Sequence, residues 1–244
     1  MYICFFILGL VMGSFFNVVG LRVPKKKSIV QPGSHCVHCL KPLKPIDLVP
    51  LLSYLFTRGR CRYCKKQVSV IYPVIELTTG LLFMFSYHQF GLSSMLFGSL
   101  ILLSLLLIIF VSDLFFMLIP NKILLFFAPF IILYRVWIPT DPWWDAWIGS
   151  LIGFSLLFLI AVISKGGMGG GDIKLFALLG LMFGWKSILL VLFLASLFGS
   201  IVGISLFATK KVKRKQHIPF GPFIVAAAIV TLFWGEPILR WYLG

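Results

Sequence analysis

Residues 164–176 read SKGGMGGGDIKLF and lie between two strongly apolar segments. Five glycines, an aspartate and two lysines make a polar, pliable link inside a chain otherwise suited to hydrocarbon. Whether the flanking segments are soluble core or membrane spans decides the fold. The chain has 244 residues, 60% hydrophobic and 12% charged, with mean hydropathy +1.03. A water-soluble domain of this size cannot be built with so little polar surface, so the class is a polytopic membrane protein.

Apolar runs long enough to cross about 30 Å of hydrocarbon recur along the chain. They predict an all-α, polytopic membrane helix bundle of about eight spans, near residues 2–21, 71–89, 93–112, 119–137, 146–163, 172–185, 187–208 and 220–242. The sixth is the shortest. The first has neither the basic n-region nor the A-x-A-like site of a signal peptide, so it is expected to be retained. The domain reading is a first transmembrane helix (1–21), a polar insertion (22–70) and a transmembrane bundle (71–244).

The net charge of +15 raises the question of nucleic acid, which its distribution answers. Residues 22–70 hold eleven Lys/Arg, residues 164–174 two and residues 209–219 five, and Lys122 follows the turn after Asp113. With the N-terminus outside, these nineteen all face the cytoplasm, and only Arg135, Lys186 and Arg240 lie outside. That is the positive-inside pattern. The charge reports orientation in the membrane and attraction to anionic lipid, not a nucleic-acid partner. "PTDPWWD" (139–145), with two tryptophans and no basic residue, suits an outer interfacial loop, and "TKKVKRKQH" (209–217) a cytoplasmic anchor.

The insertion is too short to bury a core of its own and needs a staple. Its staple is read as "CVHC" (Cys36, Cys39) and "CRYC" (Cys61, Cys64), two CxxC knuckles with 21 residues between them. Four thiolates at such spacing can surround Zn²⁺ tetrahedrally, and a filled shell makes the metal structural. Two disulfides are the competing reading, disfavoured by the cytoplasmic placement. His35 and His38 are expected to be bystanders, and Cys4, alone in the first span, a small apolar packer.

Seven acids leave room to place each one. Asp141, Asp145 and Glu236 fall outside and Asp47 in the insertion, leaving Asp113, Asp172 and Glu76 at the cytoplasmic membrane boundary. Ionisable groups at this depth are costly and tend to be functional. Asp113 ends the third span and Asp172 opens the sixth. Two carboxyls facing each other in a partly dry site share a proton, giving one base to activate water and one acid to protonate a carbonyl oxygen or leaving nitrogen. Against this stand two structural readings: Asp172 as the N-cap of the sixth span, and Asp113 as an interfacial end residue. Lys174 is two positions from Asp172 and so on another face; it is expected to snorkel.

Seven stretches in order carry a family resemblance: "GSFFNVVGLRVP" (13–24), the CxxC pairs, "LVPLLSYLFTRGRC" (48–61), "YPVIE" (72–76), "SDLFFMLIPN" (112–121), "GMGGGDIKLFALLG" (167–180) and "PFGPF" (219–223). Over essentially its whole length the chain resembles the bacterial type IV prepilin peptidases, most of all the competence-pseudopilus type of Gram-positive bacteria. The resemblance implies a GxGD intramembrane aspartyl protease, with Gly169, Gly171 and Asp172 as its GxGD element and Asp113 as the other catalytic aspartate. It implies prepilin-like precursors as substrates, with a short basic leader cut after a Gly on the cytoplasmic side. It also implies N-methylation of the new amine with S-adenosylmethionine, although the sequence has no nucleotide-binding glycine loop after a strand. Glu76 matches a family position and, like Lys174, is a possible supporting residue. On this reading the glycines let a substrate backbone come close in extended form.

Two other classes fit parts of the pattern. A proton-coupled transporter would use Asp113 and Asp172 as relays, but needs carboxylates near the midplane. A zinc-bearing scaffold would survive loss of both aspartates. The charge sorting makes one direct prediction. In intact cells, an impermeant thiol reagent should modify a single cysteine placed at Thr140 and miss one at Ser28; the reverse pattern would invert the topology.

Overall fold

The computed structural model describes residues 1–165, 167–209 and 219–243. The expected basic anchor after Thr209 lies outside these. Among the described residues there are nine α-helices and no strand: α1 (Tyr2–Arg22), α2 (Leu52–Phe56), α3 (Ile71–Phe90), α4 (Ser94–Phe116), α5 (Asn121–Trp137), α6 (Asp145–Ile163), α7 (Gly170–Phe183), α8 (Trp185–Ala208) and α9 (Gly221–Leu243). All but the short α2 coincide with the eight expected spans, with ends within two residues except that α4 runs to Phe116 rather than 112. Helices are the outcome because hydrocarbon offers no partner to an unpaired backbone N–H or C=O.

Five of these helices, α1, α4, α6, α8 and α9, are long and apolar enough to cross a membrane by length and composition. The other three differ for visible reasons. α3 carries Glu76, His88 and Gln89, and α5 has 17 residues with Pro129 inside it. α7 has 14 residues, about 21 Å at ~1.5 Å each, short of the ~30 Å core.

The helices form two compact units, Met1–Val111 and Ser112–Gly244. In the first, α1 and α3 pack backbone to backbone. Gly9 and Gly13 are spaced as GxxxG: a methyl on Gly9 would stand 2.7 Å from the Gly80 Cα, and one on Gly13 2.8 Å from the Glu76 Cα. The insertion rises between these helices. Its two knuckles are built alike: the amides of Cys36 and Cys61 bond the carbonyls of Lys41 and Lys66 (3.0 and 2.8 Å), and the amides of Leu40 and Lys65 return to Cys36 and Cys61 (2.9 Å each). Leu40 and Lys65 both take the left-handed conformation (φ 57° and 60°) that this tight loop demands.

The second unit repeats the close approach. Gly149 and Gly153 of α6 face α7, where a methyl on Gly149 would stand 2.5 Å from the Gly180 carbonyl oxygen and one on Gly153 2.6 Å from that of Phe176. In a membrane, where apolar burial alone gives little preference for helix over lipid, such small-residue contacts drive association. A sharp reversal at Gly184 (φ 80°) turns α7 into α8, and the Asp145 carboxylate accepts the Trp185 amide there (3.2 Å).

Gly180→Val should therefore overpack the α6–α7 crossing by about 1–3 kcal/mol, lowering the unfolding midpoint of the detergent-purified protein by roughly 2–12 °C. Gly203→Val, whose side chain would meet open space, should leave the midpoint within about a degree.

Candidate active site and metal centre

The second unit brings Asp113 and Asp172 together. Asp113 sits one turn before the end of α4 and is 6% exposed. The helix stops because Met117 turns left-handed (φ 50°), its amide still bonded to the Asp113 carbonyl (2.9 Å). The Ser112 hydroxyl closes the turn by donating to the Leu118 carbonyl (2.5 Å), and Pro120 then leads into α5. Asp113 Oδ2 accepts the backbone amide of Gly221 at 2.9 Å. Gly221 is the first residue of α9, so its N–H has no partner within the helix, and the carboxylate meets the positive end of the helix dipole. Only glycine fits there: a methyl on Gly221 would stand 2.5 Å from Oδ2.

Asp172 stands in the first turn of α7, whose N-cap is Gly169 and not Asp172; its amide bonds the Gly169 carbonyl (3.1 Å), and its carboxylate turns back toward the Gly169 and Asp172 backbone amides. The Asp113 and Asp172 carboxyls lie within electrostatic reach of each other. The glycines before Asp172 divide the work. A methyl on Gly169 would stand 2.9 Å from Asp172 Oδ2, and one on Gly171 would stand 2.7 Å from the Ile119 Cβ, while Gly170 faces open space. Gly171 thus lets α7 press on the α4–α5 turn, which follows the last turn of α4 with Asp113. Lys174 does not simply snorkel: its Nζ donates to Asn121 Oδ1 (3.0 Å), a second tie between the same elements.

Gly221, Ile119 and Asn121 were not legible as site residues. All three lie in stretches quoted for the family resemblance, "PFGPF" and "SDLFFMLIPN", and that order was the only signal available.

In the first unit, the Sγ atoms of Cys36, Cys39, Cys61 and Cys64 all lie within 4.8 Å of one another, and the thiols are free rather than paired as disulfides. Cys36 and Cys64 are 3.8 Å apart. A tetrahedron with metal–sulfur bonds of ~2.3 Å has edges of about 3.8 Å, so the cluster can hold a metal ion of zinc's size. Amide hydrogen bonds, first from Cys39 and then from His38, bring the Cys36 thiol down to about 6 against the opposing pull of burial. The Lys66 amide lowers Cys64, but burial and the other three sulfurs outweigh it and push that thiol up to about 11. Four sulfurs this close cannot all ionise without a cation between them. His35 turns to the Gly33 carbonyl (2.9 Å) and stays outside the cluster. Cys4 is exposed, not packed in a core.

Asp47, Glu76, Asp145 and Glu236 have structural partners. Asp47 pairs with Arg62 of the second knuckle (2.7 Å) and Glu236 with Arg240 (3.4 Å). Glu76, 8% exposed, accepts the Leu51 amide (2.9 Å) and so ties the insertion to α3. Nearby Asn17, fully buried, donates to the Tyr72 carbonyl (3.2 Å).

Elemental analysis of the purified protein should find about one equivalent of divalent metal, lost when Cys36 and Cys61 are both replaced by Ser. Full metal content in that double variant would remove the four-sulfur site.

Residues 7–90 match the family model of the bacterial peptidase A24 N-terminal domain, and residues 100–204 match that of the type IV leader peptidase family. The prepilin leader peptidase/N-methyltransferase of Bacillus subtilis (strain 168) is 41% identical over 238 residues, covering 98% of this chain and 96% of that protein. The proteins of the same name from Aeromonas hydrophila (33% identical) and Pseudomonas aeruginosa (32%) cover 98% and 99% of the chain and 92% and 93% of their own lengths. No solved structure matches. With both family models met in order and relatives aligned from end to end, the chain belongs to the type IV leader peptidase family.

Proposed function

We propose that this membrane protein is an aspartyl endopeptidase that removes the short leader of type IV prepilin-like precursors after a Gly, with Asp113 and Asp172 as its catalytic pair. The observation that carries the reading is that these two carboxyls, 59 positions apart in sequence, come within electrostatic reach of each other, one at the C-terminal end of α4 and the other at the N-terminal end of α7. In the cycle one carboxyl is protonated and the other ionised, as two close carboxyls require. The ionised one takes a proton from water, whose oxygen attacks the scissile carbonyl carbon while the protonated one gives its proton to the carbonyl oxygen. The tetrahedral intermediate then collapses, the leaving nitrogen gains a proton, and the C–N bond breaks to a leader carboxylate and a new amine. Gly221 holds Asp113 in one orientation, leaving its other oxygen for the chemistry. On this reading Asp113, held by the Gly221 amide, and Asp172 exchange the acid and base roles through the cycle.

Gly169 and Gly171 give the substrate backbone and the Asp113 turn room beside Asp172. Lys174 and Glu76 act as supports, Lys174 through Asn121 and Glu76 through the Leu51 amide of the insertion. Cys36, Cys39, Cys61 and Cys64 hold Zn²⁺ as a structural ion: with four sulfurs there is no open position for catalysis, and the metal folds the 22–70 insertion. The charge distribution puts that insertion and the carboxyl pair on the cytoplasmic side of a bacterial plasma membrane, with the N-terminus outside. The relatives' names imply S-adenosylmethionine as a methyl donor too. Among the described residues there is no strand, so no strand–glycine loop–helix cradle for a nucleoside, and no step here runs through that group.

Asp113→Asn and Asp172→Asn should each reduce cleavage of a co-expressed prepilin-like precursor by at least ~10²–10⁴-fold, read as loss of the small mass decrease. Membrane insertion and metal content should stay as in the unaltered protein. Asp141→Asn should cleave normally. Substantial cleavage by either dyad variant would end the aspartyl mechanism.

A further inference from the structure

In the first unit, the short helix α2 turns apolar side chains outward. Leu52, Leu55 and Phe56 are all exposed, Phe56 to 80%. Their spacing puts them on one side of the helix. Tyr54 points the other way, onto the second knuckle: its hydroxyl donates to the Val68 carbonyl (3.5 Å), and a methyl on Gly59 would stand 2.8 Å from its oxygen. A helix of five residues does not hold itself together, so this contact fixes which side faces out.

The depth of α2 is set as well. The amide of Leu51, the residue just before it, donates to Glu76 Oε2 (2.9 Å). Glu76 is the sixth residue of α3 (Ile71–Phe90), about 7.5 Å along that helix at ~1.5 Å per residue. With α3 crossing the bilayer, α2 therefore starts below the level at which α3 enters it. An amphipathic helix lying in a membrane interface buries its apolar side about 5–10 Å into the boundary between headgroups and acyl chains, which is the same depth. There, acyl chains cover side chains that water would leave bare.

Charge selects the lipid. Residues 22–70 hold eleven Lys/Arg and a single acid, Asp47, which is paired with Arg62. Arg58 and Arg60 follow α2 directly and are exposed. Long basic side chains beside an apolar surface suit anionic headgroups, with their stems along the apolar layer and their charges at its edge. A second copy of this chain would set two strongly basic insertions against each other, a like-charge contact that is costly.

We propose that α2 is a lipid-docking wedge: Leu52, Leu55 and Phe56 enter the acyl boundary of the leaflet at which α3 begins, and Arg58 and Arg60 hold anionic headgroups beside them. The sulfur-clustered insertion then lies against the bilayer instead of standing off it. The inference rests on α3 as a membrane span and is independent of the proteolytic reading.

The test uses the full-length protein, one copy per lipid nanodisc, with dansylalanine in place of Phe56 and lipids that bear a nitroxide near the headgroup end of the acyl chain. In discs of phosphatidylcholine with about 30% phosphatidylglycerol, the nitroxide should quench the probe by at least about twofold. Without phosphatidylglycerol, or in the Arg58→Glu/Arg60→Glu variant, the quenching should fall to about half of that or less. A probe that stays in water and unquenched would overturn the wedge. Quenching that ignores phosphatidylglycerol would overturn the choice of anionic lipid. A probe shielded from water yet unquenched, or shielded only when two copies share a disc, would mean a protein on this surface and would overturn the proposal too. Should the probe at Phe56 prevent folding, a benzophenone side chain at Leu55 decides. Irradiation should add the mass of a lipid to the protein, and cross-links confined to protein would overturn the assignment.

Discussion

The hydrogen bond from the Gly221 amide to Asp113 is the contact on which the second unit's chemistry depends. A carboxylate buried at the end of a membrane helix needs a donor, and there is little water to supply one. The first turn of another helix has unpaired amides to give. Joining the two solves both problems at once and ties the end of α4 to the start of α9, 108 positions apart. The bond also dictates the residue: any side chain at 221 would collide with the carboxylate it is meant to hold. The "PFGPF" stretch reads as a helix start in sequence, and it is one, but its first amide is already committed to Asp113.

The same economy governs how the helices meet. Both units use a GxxxG step, Gly9/Gly13 in α1 and Gly149/Gly153 in α6, to bring a second helix to backbone contact. Lipid tails are as apolar as Leu, so close dispersion contacts rather than hydrophobic burial hold such pairs. The α6–α7 crossing has a further consequence, because α7 carries Asp172 in its first turn. Gly149 and Gly180 set its far end, and Gly171 against Ile119 sets its near end. A helix of 14 residues is thus clamped at both ends, and the carboxyl it presents inherits that rigidity.

The insertion shows a different solution to the same shortage of core. It has exposed apolar residues, including Val37 and Leu40, and few buried ones beyond Cys36 and Cys61. Two knuckles of like geometry place four sulfurs in one cluster, Asp47–Arg62 braces the second knuckle from outside, and Glu76 fixes the Leu51 backbone to α3. A metal held at the sulfurs would do for these residues what close helix packing does for the rest.

The sequence by itself determined the eight long helices and most of their limits, because hydrocarbon tolerates only segments that satisfy their own backbone, and such segments announce themselves by length and hydropathy. It also determined the four sulfur positions, since CxxC spacing is a local property, and it narrowed seven acids to the few at the membrane boundary. What it left open was non-local. That α4 runs one turn past Asp113 depends on Met117 accepting a left-handed turn that Ser112 closes. That Asp172 is a first-turn residue, with Gly169 as the N-cap, depends on the helix beginning at Gly170. The partners of Asp113, Gly171 and Lys174, namely Gly221, Ile119 and Asn121, come from elements up to 108 positions away. Tertiary structure decided these because each is a match between two surfaces, and a linear chain encodes the two halves of such a match without recording that they meet.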